Sequence, residues 1–377
     1  MSDIEKEMQE LVLLTDKKSA LELHAEKHDI IKETLKKHGY EYIRQIGHGA
    51  FSTVHLVVST KYQQQFSVKV IDNSKKDQLD NEVPHMMILT HPNVIRIYEY
   101  FCDDKFCYVV LEYCSNGDLL SYIKKNGLLP QNYLFEICSQ LIGALKNCHD
   151  HKISHGDIKP SNILIDQFGR AKLSDFGLSQ LIKDSDMTTV FCGSRVYMAP
   201  EIFRRQEYNP FLADIWSLGV TFYHIATGTP PWESSSDASL ELAISLCCFS
   251  PQPLEIYGKE FQSTIKQMLQ VQPRKRPTLE QLLKKPIFCK SPQSNIYQIN
   301  SNPSTRNLLH RSNCCQSTNH FRLNANRRQS NISPKVFLSS TSINFQALQM
   351  QKRKSAGAQI VSPSAFHGIS TFSDLLG

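Results

Sequence analysis

Residues 40–289 change from strand-like to helical patterns along the chain, and this order constrains the fold more than any other feature of the sequence. Five short runs rich in β-branched and aromatic residues come first, namely YEYIRQIG, STVHLVVS, QFSVKVI, VIRIYEYF and FCYVVLEYC. Longer segments with apolar residues at helical spacing follow, among them YLFEICSQLIGALKNCHDH, ADIWSLGVTFYHIATG and EFQSTIKQMLQV. The order predicts an α+β chain with a β-rich first lobe and a helical second lobe.

Two segments of different composition flank this domain. Residues 1–39 contain no Pro, and their apolar residues are spaced as in one or two amphipathic helices: Leu11, Leu14, Leu21, Ile31 and Leu35. We expect a helical extension packed on the main domain; a partner-binding helix is the alternative. Residues 290–377 contain sixteen Ser and ten Asn with few clustered apolar residues, which predicts a disordered tail.

The net charge of +6 is unevenly distributed along the chain. The tail contains ten Lys or Arg and one acid, Asp374, so it carries +9 and the remaining residues carry −3. Because the positive charge lies outside the main domain, nucleic acid is not an expected partner.

No apolar run approaches the ~20 residues that span a bilayer, and the charged N-terminus MSDIEKEMQE is unlike a secretory signal. We expect a cytoplasmic protein without a membrane partner, and its eleven cysteines, with no C-x-x-C pair, predict free thiols rather than a disulfide framework or a zinc site.

Two glycines, Gly47 and Gly49, stand in the turn between the first two strand-like runs, in the segment IGHGAFSTV at 46–54. Such glycines let backbone amides approach an anion closely. A strand follows this turn, which excludes the dinucleotide-binding turn that opens directly into a helix.

Lys69 lies on the next strand-like run, where its ammonium can meet phosphate oxygens. A buried lysine needs an acidic partner, and Glu82 in DNEVPHMMIL is the candidate.

Polar residues cluster in the segment SHGDIKPSNILI, between a helical pattern and a short β run. Asp157 and Asn162 lie in this loop, and the segment DFG follows at 175–177. Two acids and an amide on adjoining loops can bind Mg²⁺, which takes few protein oxygens and completes its shell with water and phosphate. One carboxylate then remains to accept a proton from an attacking hydroxyl.

Taken in order, these motifs resemble those of a eukaryotic protein kinase. The matching segments are the glycine turn at 47–54, Lys69, Glu82, the loop at 155–162, DFG at 175–177, APE at 199–201, DIWSLGV at 214–220 and RKRP at 274–277. The resemblance implies the bilobal protein kinase fold, with a β-rich N-lobe and a helical C-lobe, over residues 40–289. It also implies transfer of phosphate from ATP, with Mg²⁺, to hydroxyls of protein substrates.

The resemblance assigns a role to each matching residue. The implied catalytic residues are Asp157, Lys159, Asn162, Lys69 and Glu82, and the implied Mg²⁺ ligands are Asn162 and Asp175. The implied nucleotide contacts are Ile46, Gly47, His48, Gly49, Ala50, Phe51, Ser52, Thr53, Val54, Lys69, Glu112, Cys114 and Asp118. Asp157 is the expected proton acceptor, whereas Lys69, held by Glu82, is expected to hold the α- and β-phosphates. An ordinary helix cap or salt bridge is the alternative role for Asp118.

Further residues carry structural roles and substrate class by the same resemblance. Asp214 is expected to hold the backbone of the catalytic loop, and Arg276 is expected to pair with Glu201. Lys159 and Ser194 match the serine/threonine kinases rather than the tyrosine kinases, and the chain is most similar to the calmodulin-dependent and AMP-activated group.

Three positions depart from the family together. Gly156 stands where most members have the arginine that receives an activation-loop phosphate, Gln180 replaces a residue that is often basic, and Val190 replaces the usual phospho-acceptor. The set predicts an activation segment that is ordered by packing, without phosphorylation, although Thr188 and Thr189 remain as neighbouring acceptors. The Lys69–Glu82 spacing is also shorter than usual in the family, and Pro84 follows Glu82, so we expect a short helix that begins near Asp80 with Pro84 in its first turn.

Two other readings of the function stay open at this point. A pseudokinase scaffold would lack one of Lys69, Asp157, Asn162 or Asp175, and all four are present. A binding protein that acts through its basic tail is the second alternative. The tail segments RRQS, with Ser330, and KRKS, with Ser355, have the form of basophilic phosphosites. Chance in a Ser- and Arg-rich segment is the favoured explanation, and autophosphorylation or an intramolecular contact of this tail with the cleft is the alternative.

Overall fold

The computed structural model describes residues 26–49, 52–75, 79, 83, 87, 89–182, 186–234 and 236–289. Five antiparallel strands form the first lobe: β1 (Tyr40–His48), β2 (Ser52–Ser59), β3 (Gln65–Asp72), β4 (Ile97–Cys102) and β5 (Phe106–Glu112). Their order across the sheet is β1-β2-β3-β5-β4. Lys69 of β3 therefore lies in the centre of the sheet, opposite Val54 of β2 and Val109 of β5.

Side chains alternate between the two faces of this sheet, as strand geometry requires. Phe66, Val68 and Val70 of β3 pack on one face, whereas Ile71 packs on the other face with Val109. By the same alternation Lys69 shares the face of Ile71. The face of the sheet that carries Phe66, Val68 and Val70 is the outer face, and a helix covers it.

This helix, α1, occupies residues 26–37. Ile31 and Leu35 lie one turn apart on it, are buried, and pack against the outer face of the sheet. Thr34 donates a hydrogen bond from Oγ1 to Oδ2 of Asp103 in the β4–β5 turn, at 2.8 Å. The expected packing of a helical extension on the main domain is confirmed for this helix, and Leu11, Leu14 and Leu21 lie outside the described residues.

The second lobe is mainly helical. Its helices are α2 (Leu119–Asn126), α3 (Gln131–Asp150), α4 (Pro200–Phe203), α5 (Pro210–Thr227), α6 (Asp237–Leu246), α7 (Lys259–Met268) and α8 (Leu279–Leu283). Two short antiparallel pairs join them: β6 (Ile153–Ser154) with β9 (Gln180–Leu181), and β7 (Ile163–Ile165) with β8 (Ala171–Leu173). None of the helices in the described part of the chain is long and apolar enough to cross a membrane.

Helix α5 is the centre of this lobe. Asn209 caps its N-terminus by accepting from the Leu212 amide, Pro210 occupies the first turn, and Gly228 ends it with φ +84°. Residues 213–226 are all buried. A helix that is apolar all round packs inside a core, so α5 gives the surrounding loops a rigid support.

One of the five strand runs is shorter than its pattern predicts. The run VIRIYEYF begins at Val94, but β4 begins at Ile97. Val94 forms an isolated parallel bridge with Leu173, and the Ile95 amide donates to the Leu173 carbonyl at 2.9 Å. The start of this run is therefore used to join the first lobe to β8 of the second.

The expectation of free thiols is wrong for one pair. Cys102 and Cys107 form a disulfide across the β4–β5 turn, with their Cα atoms 4.1 Å apart. The two residues face each other directly in the antiparallel register. Their spacing in the sequence matches no familiar motif, and only the register of the strands brings them together. The other seven cysteines of the described residues are free.

Candidate active site

Asp157 lies in the loop between β6 and β7, and a buried carboxylate holds the backbone of this loop. Asp214 of α5 accepts the His155 amide on Oδ2 at 2.8 Å and the Gly156 amide on Oδ1 at 2.9 Å. Nε2 of His149 also lies 3.0 Å from Oδ2 of Asp214. A buried carboxylate requires such donors. The expected role of Asp214 is confirmed.

Three donors converge on the Asp157 carboxylate. Oδ2 accepts from Lys159 Nζ at 2.7 Å and from Asn162 Nδ2 at 3.0 Å, and Oδ1 accepts from the Ser194 amide at 2.9 Å. A carboxylate accepts about four hydrogen bonds. Asp157 is thus fixed in orientation and retains capacity for one more donor, such as a hydroxyl.

Lys159 connects the catalytic loop to the segment before α4. Its ammonium donates to the Asp157 carboxylate and to Ser194 Oγ, the latter at 2.8 Å. Ser194 therefore contacts the loop twice, by its amide and by its hydroxyl. The two residues that match the serine/threonine kinases, Lys159 and Ser194, are thus in direct contact.

Asn162 and Asp175 lie on two adjoining loops that Ser174 ties together. The amide and the hydroxyl of Ser174 both donate to the Asn162 carbonyl, at 3.0 and 2.9 Å. Nδ2 of Asn162 donates to the carbonyl and to the carboxylate of Asp157. Among the described contacts, Oδ1 of Asn162 has no partner, so this oxygen is available to a ligand.

Asp175 has an unusual backbone conformation and a charged partner. Its φ is +63°, in the left-handed region that side chains rarely adopt, and its Oδ1 accepts from Lys69 Nζ at 3.2 Å. Burial is the largest influence on the pKa of Asp175 and would raise it, but the Lys69 ammonium, with smaller contributions from His155 and Lys159, brings the net pKa below the ordinary value. Asp175 is therefore ionised at neutral pH, and its carboxylate together with the Asn162 amide oxygen is a donor set that fits Mg²⁺.

The glycine turn connects β1 and β2 directly beside Lys69. The expected contacts on its two arms are Ile46, Gly47, His48, Gly49, Ser52, Thr53 and Val54, and all lie in or next to these strands. The Gly49 amide donates to the Ser52 carbonyl at 2.8 Å. Thr53 is directed elsewhere, because its Oγ1 lies 2.7 Å from His55 Nε2 in the cavity under α1. Only its backbone is free to take part in nucleotide binding.

The end of β5 contains an ion pair that the sequence motifs did not indicate. Both carboxylate oxygens of Glu112 bind Lys172 of β8, at 2.7 and 2.8 Å. The carbonyl of Glu112 accepts from Ser67 Oγ at 3.0 Å, and Cys114 is buried. The side chain of Glu112 therefore links the lobes, and a nucleotide contact here would involve backbone. All three residues of β8, including Lys172, are buried. A lysine within a short apolar run was therefore the sequence feature that could have indicated a buried ion pair.

Asp118 acts as a helix cap. Its Oδ1 accepts from the Ser121 amide at 2.9 Å, at the start of α2. This is the alternative role that the sequence left open for Asp118. One carboxylate oxygen remains for other contacts.

The activation segment packs on the catalytic loop where Gly156 stands. Gly156 has φ +78°, and a Cβ on it would lie 2.7 Å from the Leu178 carbonyl oxygen. Gly193 has φ +111°, and a Cβ there would lie 2.7 Å from the Gly156 carbonyl oxygen. Since real Cβ atoms do not approach so closely, both positions require glycine.

Gln180 joins two further parts of this segment. Its Oε1 accepts from Thr188 Oγ1 at 2.7 Å, and its Nε2 lies 3.8 Å from Cys192 Sγ. Tyr208 donates its hydroxyl to the Val190 carbonyl at 2.7 Å. The three positions that depart from the family therefore lie within one connected set of contacts.

A buried ion pair closes the end of the segment. Arg276 binds Glu201 through two parallel hydrogen bonds of 2.6 and 2.7 Å, and it also donates to the carbonyls of Leu212 and Gln270. Bidentate arginine–carboxylate pairs are the strongest of this kind. The expected Arg276–Glu201 pair is confirmed.

Three of the residues assigned by resemblance lie outside the described residues: Glu82, Ala50 and Phe51. The Lys69–Glu82 contact and the tip of the glycine turn therefore stay predictions. The tail segments with Ser330 and Ser355 lie outside as well.

Comparisons with known proteins agree with this geometry. A model of the protein kinase domain matches residues 40–288. The chain is 34% identical over 260 residues to CBL-interacting protein kinase 32 of Oryza sativa subsp. japonica, which covers 67% of the chain and 59% of that protein. It is 33% identical over 258 residues to CBL-interacting serine/threonine-protein kinase 8 of Arabidopsis thaliana, with 67% and 58% covered.

A mouse protein gives a similar match over the same region. The chain is 32% identical over 248 residues to serine/threonine-protein kinase SIK1 of Mus musculus, with 64% of the chain and 32% of that protein covered. The chain thus spans less than two thirds of the length of each of these curated relatives.

Proposed function

The chain belongs to the protein kinase family, and from this premise we propose that it transfers the terminal phosphate of ATP, with Mg²⁺, to serine or threonine hydroxyls of protein substrates. The matched relatives are serine/threonine kinases of the group that the sequence resembles. The observation that carries the proposal is the constellation of Asp157, Lys159 and Ser194. It places an oriented carboxylate with spare acceptor capacity beside an ammonium group.

Asp157 has the position and the contacts of a proton acceptor. A substrate hydroxyl that donates to its free acceptor direction loses its proton to this carboxylate as the oxygen attacks phosphorus. Lys159 lies 2.7 Å from the same carboxylate, so its positive charge is beside the oxygens that gain negative charge during transfer. Ser194 fixes both groups.

Asn162 and Asp175 are the residues that would hold Mg²⁺. When bound, the metal ion neutralises the negative charge of the nucleotide phosphates. Asn162 Nδ2 is committed to Asp157, which leaves its amide oxygen for the ion, and the lowered pKa of Asp175 keeps that carboxylate charged. Lys69 is poised to exchange its bond with Asp175 for one with phosphate oxygens.

Nucleotide binding by the first lobe is proposed to rely mainly on backbone groups. The glycine turn offers backbone around Gly47, and the segment after β5 offers the Cys114 amide. The amides of Gly49 and Glu112 already donate to the carbonyls of Ser52 and Arg96. Because the Glu112 carboxylate is bound to Lys172 and the Thr53 hydroxyl faces His55, neither side chain is proposed as a nucleotide contact. Asp118 is proposed to contact the ribose with the carboxylate oxygen that does not cap α2.

Replacing Asp157 by Asn tests the proposal. The variant keeps the shape of the side chain and removes the base, so kcat should fall by about 10²–10⁴-fold in an assay with Mg²⁺, ATP and a serine-containing protein. The matched control is Asp150→Asn, which alters only an exposed i,i+4 pair with Lys146. Equal transfer by wild type and Asp157→Asn, or none by either, would favour the pseudokinase alternative.

We further propose that activation-segment phosphorylation is not required for activity. The backbone of Leu178 and the Sγ atom of Cys192 occupy the space into which a side chain at Gly156 would point, so the receiving arginine has no room there. Gln180 connects Thr188 to the region of Cys192 by neutral contacts. Packing and hydrogen bonds thus occupy the place of an arginine–phosphate pair.

Phosphatase treatment of the full-length protein tests this regulation. Dephosphorylated protein, verified by mass spectrometry, should retain kcat within about twofold, because no phosphate contact is lost. Thr189→Ala should also retain kcat within about twofold. Thr188→Ala removes the hydrogen bond to Gln180, so it measures the effect of losing that contact without any phosphate. Loss of activity on phosphatase treatment, restored by an upstream kinase, would contradict the proposal.

A further inference from the structure

Two arginines and two phenylalanines form a row next to the catalytic loop, in which Phe203 is buried and Phe191 is exposed. The guanidinium of Arg195 lies over the Phe203 ring, 5.8 Å from its centroid, and that of Arg205 lies over the Phe191 ring at 5.0 Å. The centroids of the two rings are 6.3 Å apart, and the ring planes are inclined at 69° in an edge-to-face arrangement. We name Arg195, Phe203, Phe191 and Arg205 the Arg–Phe row.

The row begins at the proposed acceptor site. Arg195 directly follows Ser194, whose amide contacts the Asp157 carboxylate and whose hydroxyl contacts Lys159. A substrate hydroxyl that reaches Asp157 therefore brings the neighbouring substrate residues within reach of Arg195.

The positive charge of the row is little compensated. Arg195 has one acidic contact, with Asp237 at 3.3 Å, and the two side chains are 41% and 71% exposed. Such solvent-exposed pairs contribute little and are readily exchanged. Within the described residues, no salt bridge involves Arg205. By contrast, Arg276 and Arg170 are paired with Glu201 and Asp166 at 2.6 and 2.7 Å.

Arg205 is also held in a costly conformation. Its φ is +53°, in the left-handed region, at the end of α4. For a residue other than glycine this conformation is costly and persists only where the surroundings enforce it. A glycine would be the default residue at this position, so an arginine here is consistent with a use for its side chain.

We propose that the Arg–Phe row binds acidic side chains of the substrate close to the phosphorylated residue. Guanidinium groups bind carboxylates through planar paired hydrogen bonds, and the phenylalanine rings hold the arginines in place. This inference rests on the proposed kinase function and adds a substrate class to it, namely Ser or Thr flanked by Asp or Glu. It also implies that the basic tail segments RRQS and KRKS are poor substrates of this chain.

Steady-state kinetics with matched peptides test the proposal. Serine peptides carrying a single Asp at each position from −4 to +4 are compared with the same peptides carrying Asn, using the full-length protein. The kcat/KM for the Asp peptide should exceed that for the Asn peptide by about tenfold at one or more positions, as expected for a charge-assisted contact of about 1.4 kcal/mol. Transfer to the Asn peptides reports the kinase function by itself.

Substitutions of the row identify the residues responsible. Arg195→Gln and Arg205→Gln should each reduce the Asp/Asn ratio towards one, and Arg195→Glu should favour peptides with Lys at the same position. Arg204→Gln, at an exposed arginine outside the row, is the matched control and should keep the ratio. A wild-type ratio of one at every position, or a ratio that survives both glutamine variants, would overturn the inference. Absence of transfer to every peptide would overturn the kinase function and this inference with it.

Discussion

Gly156 is the residue that best connects the sequence to the regulation of this protein. In the sequence, Gly156 stands directly before Asp157, where most members of the family have an arginine. In the fold it is a point where two backbone segments meet, because Leu178 and Gly193 approach it on both sides. Glycine at position 156 is therefore coupled to the packing of the activation segment. Replacing Gly156 by arginine should not by itself restore the arginine–phosphate contact of other family members.

Replacing Gly156 by Ala should destabilise the protein. The new Cβ would lie 2.7 Å from the Leu178 carbonyl oxygen at a φ of +78°, and we expect the free energy of unfolding to fall by about 2–4 kcal/mol from strain and displacement together. Gly117→Ala is the matched control, because Gly117 has φ +70° and no atom within 4 Å of its Cβ position. Denaturant unfolding measures both variants. Equal losses would show that backbone strain alone, and not the contact with Leu178, requires glycine.

His55 gives the protein a defined sensitivity to acid. Burial, with a smaller contribution from His28, lowers the pKa of His55 from 6.5 to about 4. The folded protein keeps this imidazole neutral, while the unfolded chain takes up a proton below pH 6.5. The stabilisation is present above pH 6.5 and is lost as the pH falls to about 4, by roughly 3 kcal/mol at most.

This loss should disappear when the imidazole is removed. Unfolding free energies of wild type and His55→Phe, measured between pH 4 and pH 7, should differ in slope, with wild type the steeper. His48→Gln, at an exposed histidine, should keep the wild-type slope. A His55→Phe slope equal to that of wild type would show that another group causes the acid sensitivity.

The chemical residues were the most predictable from sequence. Asp157, Lys159, Asn162 and Asp175 belong to short local motifs, so their loops could be located without tertiary information, and the structure places the four together. The Glu112–Lys172 pair was not predictable, because it joins residues 60 positions apart through the packing of two strands.

The elements show a similar division. Long helices and alternating strands followed their patterns, since periodicity reports the buried face of an element. Contacts set by register did not follow from the pattern. The Cys102–Cys107 disulfide depends on which residues face each other across a turn. The late start of β4, at Ile97 instead of Val94, depends on the bridge between Val94 and Leu173.

Helix α1 is the element whose contribution is easiest to measure. Leu35 is fully buried against the outer face of the sheet. Leu35→Ala should lower the free energy of unfolding by about 2–5 kcal/mol, through lost apolar contact and the cavity left behind. Leu246→Ala, on the exposed side of α6, should change it by less than about 0.5 kcal/mol. Thermal or denaturant unfolding checks both, and a small effect of Leu35→Ala would mean that α1 is a dispensable addition to the sheet.

At the scale of the whole molecule, charge separates the kinase domain from the segment that follows it. The residues before 290 carry −3 and those from 290 onward carry +9. A basic segment could enter an active site that favours arginine near the acceptor. The Arg–Phe row is itself positive and lies beside the acceptor site, so it would repel such a segment. If the row selects acidic residues as proposed, we expect the tail to be neither an inhibitor nor a substrate in the cleft.

Removal of residues 290–377 should accordingly leave the enzyme nearly unchanged. The last buried apolar residue of the described core is Phe288, which packs with Phe135 and Phe222 and lies before the cut. We expect the same free energy of unfolding within about 0.5 kcal/mol and the same kcat/KM for the preferred peptide within about twofold. The comparison uses the full chain and a chain ending at Cys289, at several salt concentrations because charge effects are screened by salt. A large rise in activity on truncation, strongest at low salt, would instead show that the basic tail occupies the cleft despite the row.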